Sequence, residues 1–212
     1  MINKPLSFSH SDLTIINNLM SGSMNNKIWE SENLKPIKKI IKNHYLSEQD
    51  YVCPYCQQKF NSKHGRYWDI EHIIPRSQTP EFMFEPYNLC MSCVDCNKEK
   101  SNKKTTNSVA KVRYPMNGGL FFIIHPHFDD YEENLIPVKP GVLYYPKTAK
   151  GRKTIEICGL SRFYEFIDYV TPDDAGNKLH ELIGLLGTAT DLDIKKVILK
   201  KIAVLSLRAS ID

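Results

Sequence analysis

The chain has 212 residues, 42% of them apolar and 25% charged, with a net charge of +4. This fits one domain, or one core with appendages, and is long enough to bury a real core. The mild positive charge permits an acidic partner such as nucleic acid without demanding one.

The first twenty residues, MINKPLSFSHSDLTIINNLM, hold no uninterrupted apolar core of the signal-peptide type. The longest apolar runs elsewhere, such as LFFII, are far too short to span a bilayer. The expectation is a cytoplasmic protein with no membrane association. In that reducing compartment the six cysteines serve better as metal ligands than as disulfides.

In chain order, residues 1–50 read as a helical N-terminal segment. LKPIKKIIKNHYL sets Leu34, Ile37, Ile40, Ile41 and Tyr45 on one helical face, with Lys35, Lys38, Lys39 and Lys42 largely on the other. Residues 51–108 hold spaced cysteines and short apolar runs, and predict two short strands, a loop and one helix. Residues 109–212 form a C-terminal strand and helix region. Within it, GGLFFIIHP, VLYYP and TIEIC predict strands bounded by Gly and Pro. NKLHELIGLLG and DIKKVILKKIAVLSLRA predict helices, with Gly187 a stop for the first. The fold class is α+β.

CPYC supplies Cys53 and Cys56, and CMSCVDC supplies Cys90, Cys93 and Cys96. Two C-x2-C knuckles in one intracellular chain predict a tetrahedral thiolate zinc site. Zinc takes four ligands and five cysteines are on offer. Cys93 and Cys96 pair with the first knuckle, and Cys90 is left as a small buried residue. The rival reading makes all of them core cysteines. Cys158 stands alone and predicts packing. A metal tying the knuckles together would hold residues 57–92 at their base.

Inside that loop lies DIEHIIPRS, residues 69–77. Strand alternation sets Asp69 and Glu71 on one face and His72 on the other. Such a polar run either caps a turn or holds something charged. If Glu71 and His72 act together, the strand must bend or end here, which Pro75 favours.

DIEH, then NL with Asn88, then CVDCNKEK with Asn97, enclosed by two zinc knuckles, resembles the HNH endonucleases of the ββα-metal fold. The resemblance covers residues 51–104. It implies a ββα-metal core with a four-cysteine zinc site, in which His72 is the general base, Asn88 the middle Asn and Asn97 the final position on the helix. It also implies cleavage of DNA that leaves 5′-phosphate and 3′-hydroxyl ends. Asn97 stands where many members have His, and Glu71 where many have Asp. The flanks resemble, more distantly, nuclease subunits of bacterial anti-phage systems such as Septu, which work beside an ATPase.

The chemistry of these residue types agrees. A neutral imidazole takes a proton from water near neutral pH. A hard ion, Mg2+ or Mn2+, held by oxygens of Glu71 and Asn97, neutralises a leaving oxygen. Asp69 ligates that ion or braces its ligands, and Asn88 or its neighbours orient His72. Arg76, Lys98, Lys100, Lys103 and Lys104 predict a phosphate clamp, with Lys111 and Arg113 nearby. The alternative function is a non-catalytic zinc module that docks DNA or a protein.

Other features carry plainer readings. His10, His44, His64 and His180 are surface or core histidines. HPHFDDYEEN offers His125, His127, Asp129 and Asp130 as a second metal cluster, or as a loop. In the last helix Ile194, Val197, Ile198, Ile202 and Leu205 form a broad apolar face, widened by Val204 and Leu207. Part of this face packs on the chain's own helices, the safer reading, and its width predicts that it also docks a second protein or a second copy. The resemblance of the flanks implies an ATPase or sensor subunit as that protein.

Overall fold

The computed structural model describes residues 2–22, 25–62, 66–141, 143–162 and 172–208. His64 lies outside them, as do the side chains of Val197, Val204 and Leu207. Packing divides the chain into two units, Met1–Arg162 and Phe163–Asp212. The first holds the N-terminal helices, both knuckles, and the strand and helix stretch that follows them.

Helix α1 spans His10–Met20 and α2 spans Lys35–Glu48. Ser9 opens α1 with a capping box closed by Asp12, so two otherwise orphaned donors are satisfied. In α2 the buried stripe is Leu34, Ile37, Ile41 and Tyr45. Each buried aliphatic side chain contributes about 1.5–3 kcal/mol. Ile40, expected on that face, is exposed, because 100° per residue carries it off the stripe of 37, 41 and 45. Two bonds orient this helix. Tyr45 donates to the Pro86 carbonyl at 2.6 Å, and the Gln49 amide both donates to Met91 O and accepts from Met91 N at 2.7 Å.

Strand β1, Trp68–His72, pairs antiparallel with β2, Leu89–Cys93, and helix α3, Val94–Lys100, follows directly. The register runs from Trp68 opposite Cys93 to His72 opposite Leu89. Strand β2 is buried along its whole length because α2 and α3 both pack on it. The two strands, loop and helix expected in 51–108 are therefore present, and β1 ends at His72.

Beyond them come α4, Tyr131–Asn134, a hairpin of β3, Leu135–Lys139, with β4, Leu143–Pro146, and α5, Ala149–Ile157. VLYYP is a strand, but two other strand expectations fail. TIEIC lies in and just after α5. Thr148 caps that helix by accepting from Gly151 N, and Thr154, Ile157 and Cys158 then share its buried face. A five-residue apolar alternation cannot separate those two periods. GGLFFIIHP begins with a 3-10 turn and makes only an isolated bridge, Thr106 to Phe121. Its amides go elsewhere, Phe122 N to Thr105 O and Ile124 N to Thr154 Oγ1.

This stretch also braces the first knuckle. Tyr144 donates to Cys56 O at 2.6 Å and Tyr131 to Tyr55 O at 2.7 Å. In the second unit α6, Pro172–Thr188, packs against α7, Leu192–Arg208. Among the described residues no helix is long and apolar enough to cross a membrane.

Candidate functional site

Cys53, Cys56, Cys93 and Cys96 are all buried, with their sulfurs within 4.8 Å of one another. Local chemistry brings them there. Gln57, with φ +56°, turns the chain after the first pair, and its N–H donates to Cys53 O. Cys93 ends β2 and caps α3, its Sγ accepting from Cys96 N at 3.5 Å, while Cys93 N donates to Cys53 Sγ at 3.5 Å. Burial opposes ionisation of Cys53, yet hydrogen bonds from the other three thiols outweigh it and hold its pKa well below the usual range. The same crowding pushes Cys56 and Cys96 well up. Four such thiols can all become thiolates only around a cation. The Cys56–Cys93 separation of 3.8 Å matches the edge of a tetrahedron with a Zn–S bond of about 2.3 Å, itself about 3.8 Å. The donor set fits a structural metal such as zinc. Arg162 adds a guanidinium, its Nη2 donating to Cys96 Sγ at 3.3 Å.

Cys90 and Cys158 are buried outside this group, and burial raises both thiols well above their ordinary range. They are packing residues.

Asp69 and Glu71 point toward α3, as alternation requires, and meet successive inward positions of that helix. Asn97 Nδ2 donates to Asp69 Oδ2 at 2.8 Å. Lys100 pairs with Glu71 Oε1 at 2.5 Å and also donates to His72 O. Tyr55 donates to the same Glu71 oxygen at 3.2 Å. Burial raises the Glu71 pKa, and the Lys100 ammonium and the Tyr55 bond work against it. The expectation that Lys100 grips substrate phosphate therefore fails. Its side chain is fully buried and its charge is spent on Glu71.

His72 faces the other way. Its ring lies edge-on to Trp29 at 4.6 Å, and its Nε2 sits 3.1 Å from Met83 O. A carbonyl only accepts, so Nε2 carries the proton and Nδ1 is the ring's lone-pair nitrogen. Burial, with the charges of Arg76 and Lys100, lowers its pKa to about 3. His72 is therefore neutral at physiological pH.

Asn88 does not touch His72. Its amide is buried, accepting from Ile74 N at 2.7 Å and donating to Ile74 O and Phe82 O. It staples the β1–β2 loop and so acts on Met83 and His72 only at one remove. Asn88→Ala should lower unfolding free energy by about 2–4 kcal/mol, because three buried backbone groups lose a partner. Chemical denaturation at saturating zinc measures this. Loss of activity with unchanged stability would instead return Asn88 to the active site.

Asp69, Glu71, His72 and Asn97 line one cleft of about 790 Å3. Arg76 and Lys98 line it too, whereas Lys103 and Lys104 are exposed outside its lining. Lys103 instead reaches back to Ile157 O. The cleft also holds Trp29, Lys38, Lys39 and Lys42, which the motif-based reading missed. The lysines of α2 were visible as a helical face, but nothing in the sequence showed which neighbour that face meets.

HPHFDDYEEN builds core, not a second metal cluster. Among the described residues only the four cysteines gather three or more metal-type donors. His125 stacks on Phe128 at 4.1 Å and shares a 2.9 Å bond with the Tyr114 hydroxyl. His127 Nε2 donates to Leu89 O at 2.8 Å, Asp129 pairs with Lys150, and Asp130 caps α4.

Burial lowers the pKa of His125 well below its ordinary value, and that of His127 to about 4. In the unfolded chain all three buried histidines titrate near 6.5. Between about pH 4 and 6.5 the unfolded state therefore binds more protons, and stability falls as pH falls through that window. The thermal midpoint of the zinc-loaded protein should drop from pH 7 to pH 5. A His127→Phe variant should show a shallower slope, which acid loss of zinc alone would not produce.

No curated protein and no solved structure matches the chain. The family model for HNH endonuclease matches residues 53–103. That match opens at the first knuckle and closes just past α3, so it is the ββα unit with its four thiols that is similar to the HNH endonuclease family.

Proposed function

We propose that this chain is a metal-dependent endonuclease that hydrolyses DNA phosphodiester bonds in the cleft between β1 and α3. The observation that carries this reading is the state of His72. Its Nε2 is committed to Met83 O, which leaves Nδ1 to accept, and it lines the same cleft as the Asp69–Asn97 pair. His72 Nδ1 takes a proton from water as the water oxygen attacks phosphorus. The bond to the 3′-oxygen breaks and that oxygen takes a proton from solvent water, leaving a 5′-phosphate and a 3′-hydroxyl. Asp69, Glu71 and Asn97 are the residues that would hold one Mg2+ or Mn2+ ion, which would supply charge neutralisation at the leaving oxygen. The Glu71 carboxylate is already shared with Lys100 and Tyr55, which favours Asp69 and Asn97 as the more open ligands. Lys98 would meet a phosphate flanking the cut, and Arg76, whose Nη1 already donates to Asn26 O, would add only its remaining donors.

The test is nicking of supercoiled plasmid by zinc-loaded protein with and without added Mg2+ or Mn2+. Cleavage only with the added ion supports the reading. Binding without cleavage under every condition would leave a non-catalytic zinc module.

The distant resemblance of the flanks supports a place in bacterial anti-phage defence, beside an ATPase or sensor subunit or a second copy. On α6 and α7, Ile183, Leu185, Ile194 and Leu199 are exposed, while Ile198 and Leu205 are buried. The exposed set supports a docking role for this unit. Light scattering with the neighbouring gene product, before and after deletion of residues 191–212, tests it. A complex that survives the deletion would remove the role.

A further inference from the structure

The HNH match begins at Cys53, yet a large part of the cleft wall comes from before it. Helix α2 brings Lys38, Lys39 and Lys42 to the same cleft that holds Asp69 and His72. Their placement is dictated by packing. Ile37, Ile41 and Tyr45 are fully buried, and Gln49 is bonded both ways to the backbone of Met91. With that stripe turned inward, positions 38, 39 and 42 must lie along the helix flank beside β1.

The charges are unequally committed. Lys38 donates to Trp29 O and lies over the Trp29 ring at 4.9 Å, and Arg76 donates to Asn26 O at 2.5 Å. These two cations hold the turn that places Trp29 against His72. On the acidic side, Glu71 is already paired with Lys100. Lys39, Lys42 and Lys98 remain, with no hydrogen bond or ion pair among the described residues, around a cleft whose one uncompensated acid is Asp69. A concave surface of this kind concentrates a polyanion.

We propose that α2 is the second wall of the nucleic-acid cleft, with Lys39 and Lys42 contacting backbone phosphates of DNA opposite Lys98. This rests on the nuclease reading above and extends it to a helix outside the HNH domain. The contacts are to phosphate, so they position the strand over His72 without reading its sequence.

The experiment is fluorescence anisotropy of a labelled DNA duplex with the zinc-loaded full chain, without added divalent ion, across a series of KCl concentrations. Each phosphate contact contributes about 0.9 to the slope of log affinity against log salt. The Lys39→Gln/Lys42→Gln double variant should bind more weakly, with a slope shallower by about 2. Lys35→Gln lies on the same helix and removes one charge, but Lys35 is exposed, pairs with Glu32 and does not line the cleft. It should match the parent in both. If the double variant keeps the parental slope while the parent binds and nicks plasmid, the second wall is wrong and the nuclease reading stands. If the Lys35 variant loses about half as much slope as the double variant, or more, the loss per charge is the same off the cleft as in it, the effect is general charge and the proposal fails. A parent that neither binds duplex nor nicks plasmid overturns both readings together.

Discussion

His72→Ala should abolish nicking of supercoiled plasmid while zinc content stays at one ion per chain. A positioned general base contributes about 10²–10⁴-fold, and among the described residues no second histidine lines this cleft, since His125 and His127 are built into the core beside Phe128 and β2. None of the four zinc thiols contacts the imidazole. The fold will notice the change modestly. His72 is buried, and its loss leaves Met83 O without its donor, at a cost of about 1–3 kcal/mol. Assays therefore belong well below the variant's thermal midpoint, with circular dichroism and metal content measured on the same sample. A folded, zinc-replete His72→Ala protein that nicks as fast as the parent would remove His72 from the chemistry.

Cys53→Ser should have the opposite profile, with loss of metal and of structure together. Cys53 is fully buried, and its sulfur also accepts from Cys93 N, so it joins the first knuckle to the end of β2. Structural zinc contributes on the order of 10 kcal/mol to folding, comparable to the whole stability of an ordinary domain, about 5–15 kcal/mol. The variant should lose most zinc on dialysis and show a non-native spectrum at room temperature. Full zinc stoichiometry in Cys53→Ser would mean that Cys90 or another group completes the site.

The zinc set could be read from spacing because a C-x2-C knuckle is a local geometry that needs little help from the rest of the fold. The hairpin and α3 were equally open, since each strand ends at a feature visible in sequence, His72 before IIP and Cys93 before a helix. What stayed hidden depended on distant partners. Asn88 looked like part of a catalytic set, but its amide faces Ile74 and Phe82. TIEIC alternates like a strand and is claimed by a helix that Thr148 starts upstream. Lys100 was a missed opportunity. It lies four residues after Cys96, on the same helical face, so a buried cysteine already marked the lysine as inward.

That inward lysine has a consequence for how the sequence can change over generations. Lys100 and Glu71 are buried together, one on α3 and one on β1, and each is the other's counter-charge. Losing either partner alone strands the other in the interior at about 3–5 kcal/mol, whereas replacing both with well-packed apolar residues is often neutral. A lineage that drifts by single substitutions is thus held at both positions at once, even where cleavage is not under selection. The pair should persist in descendants whose cleft residues have changed.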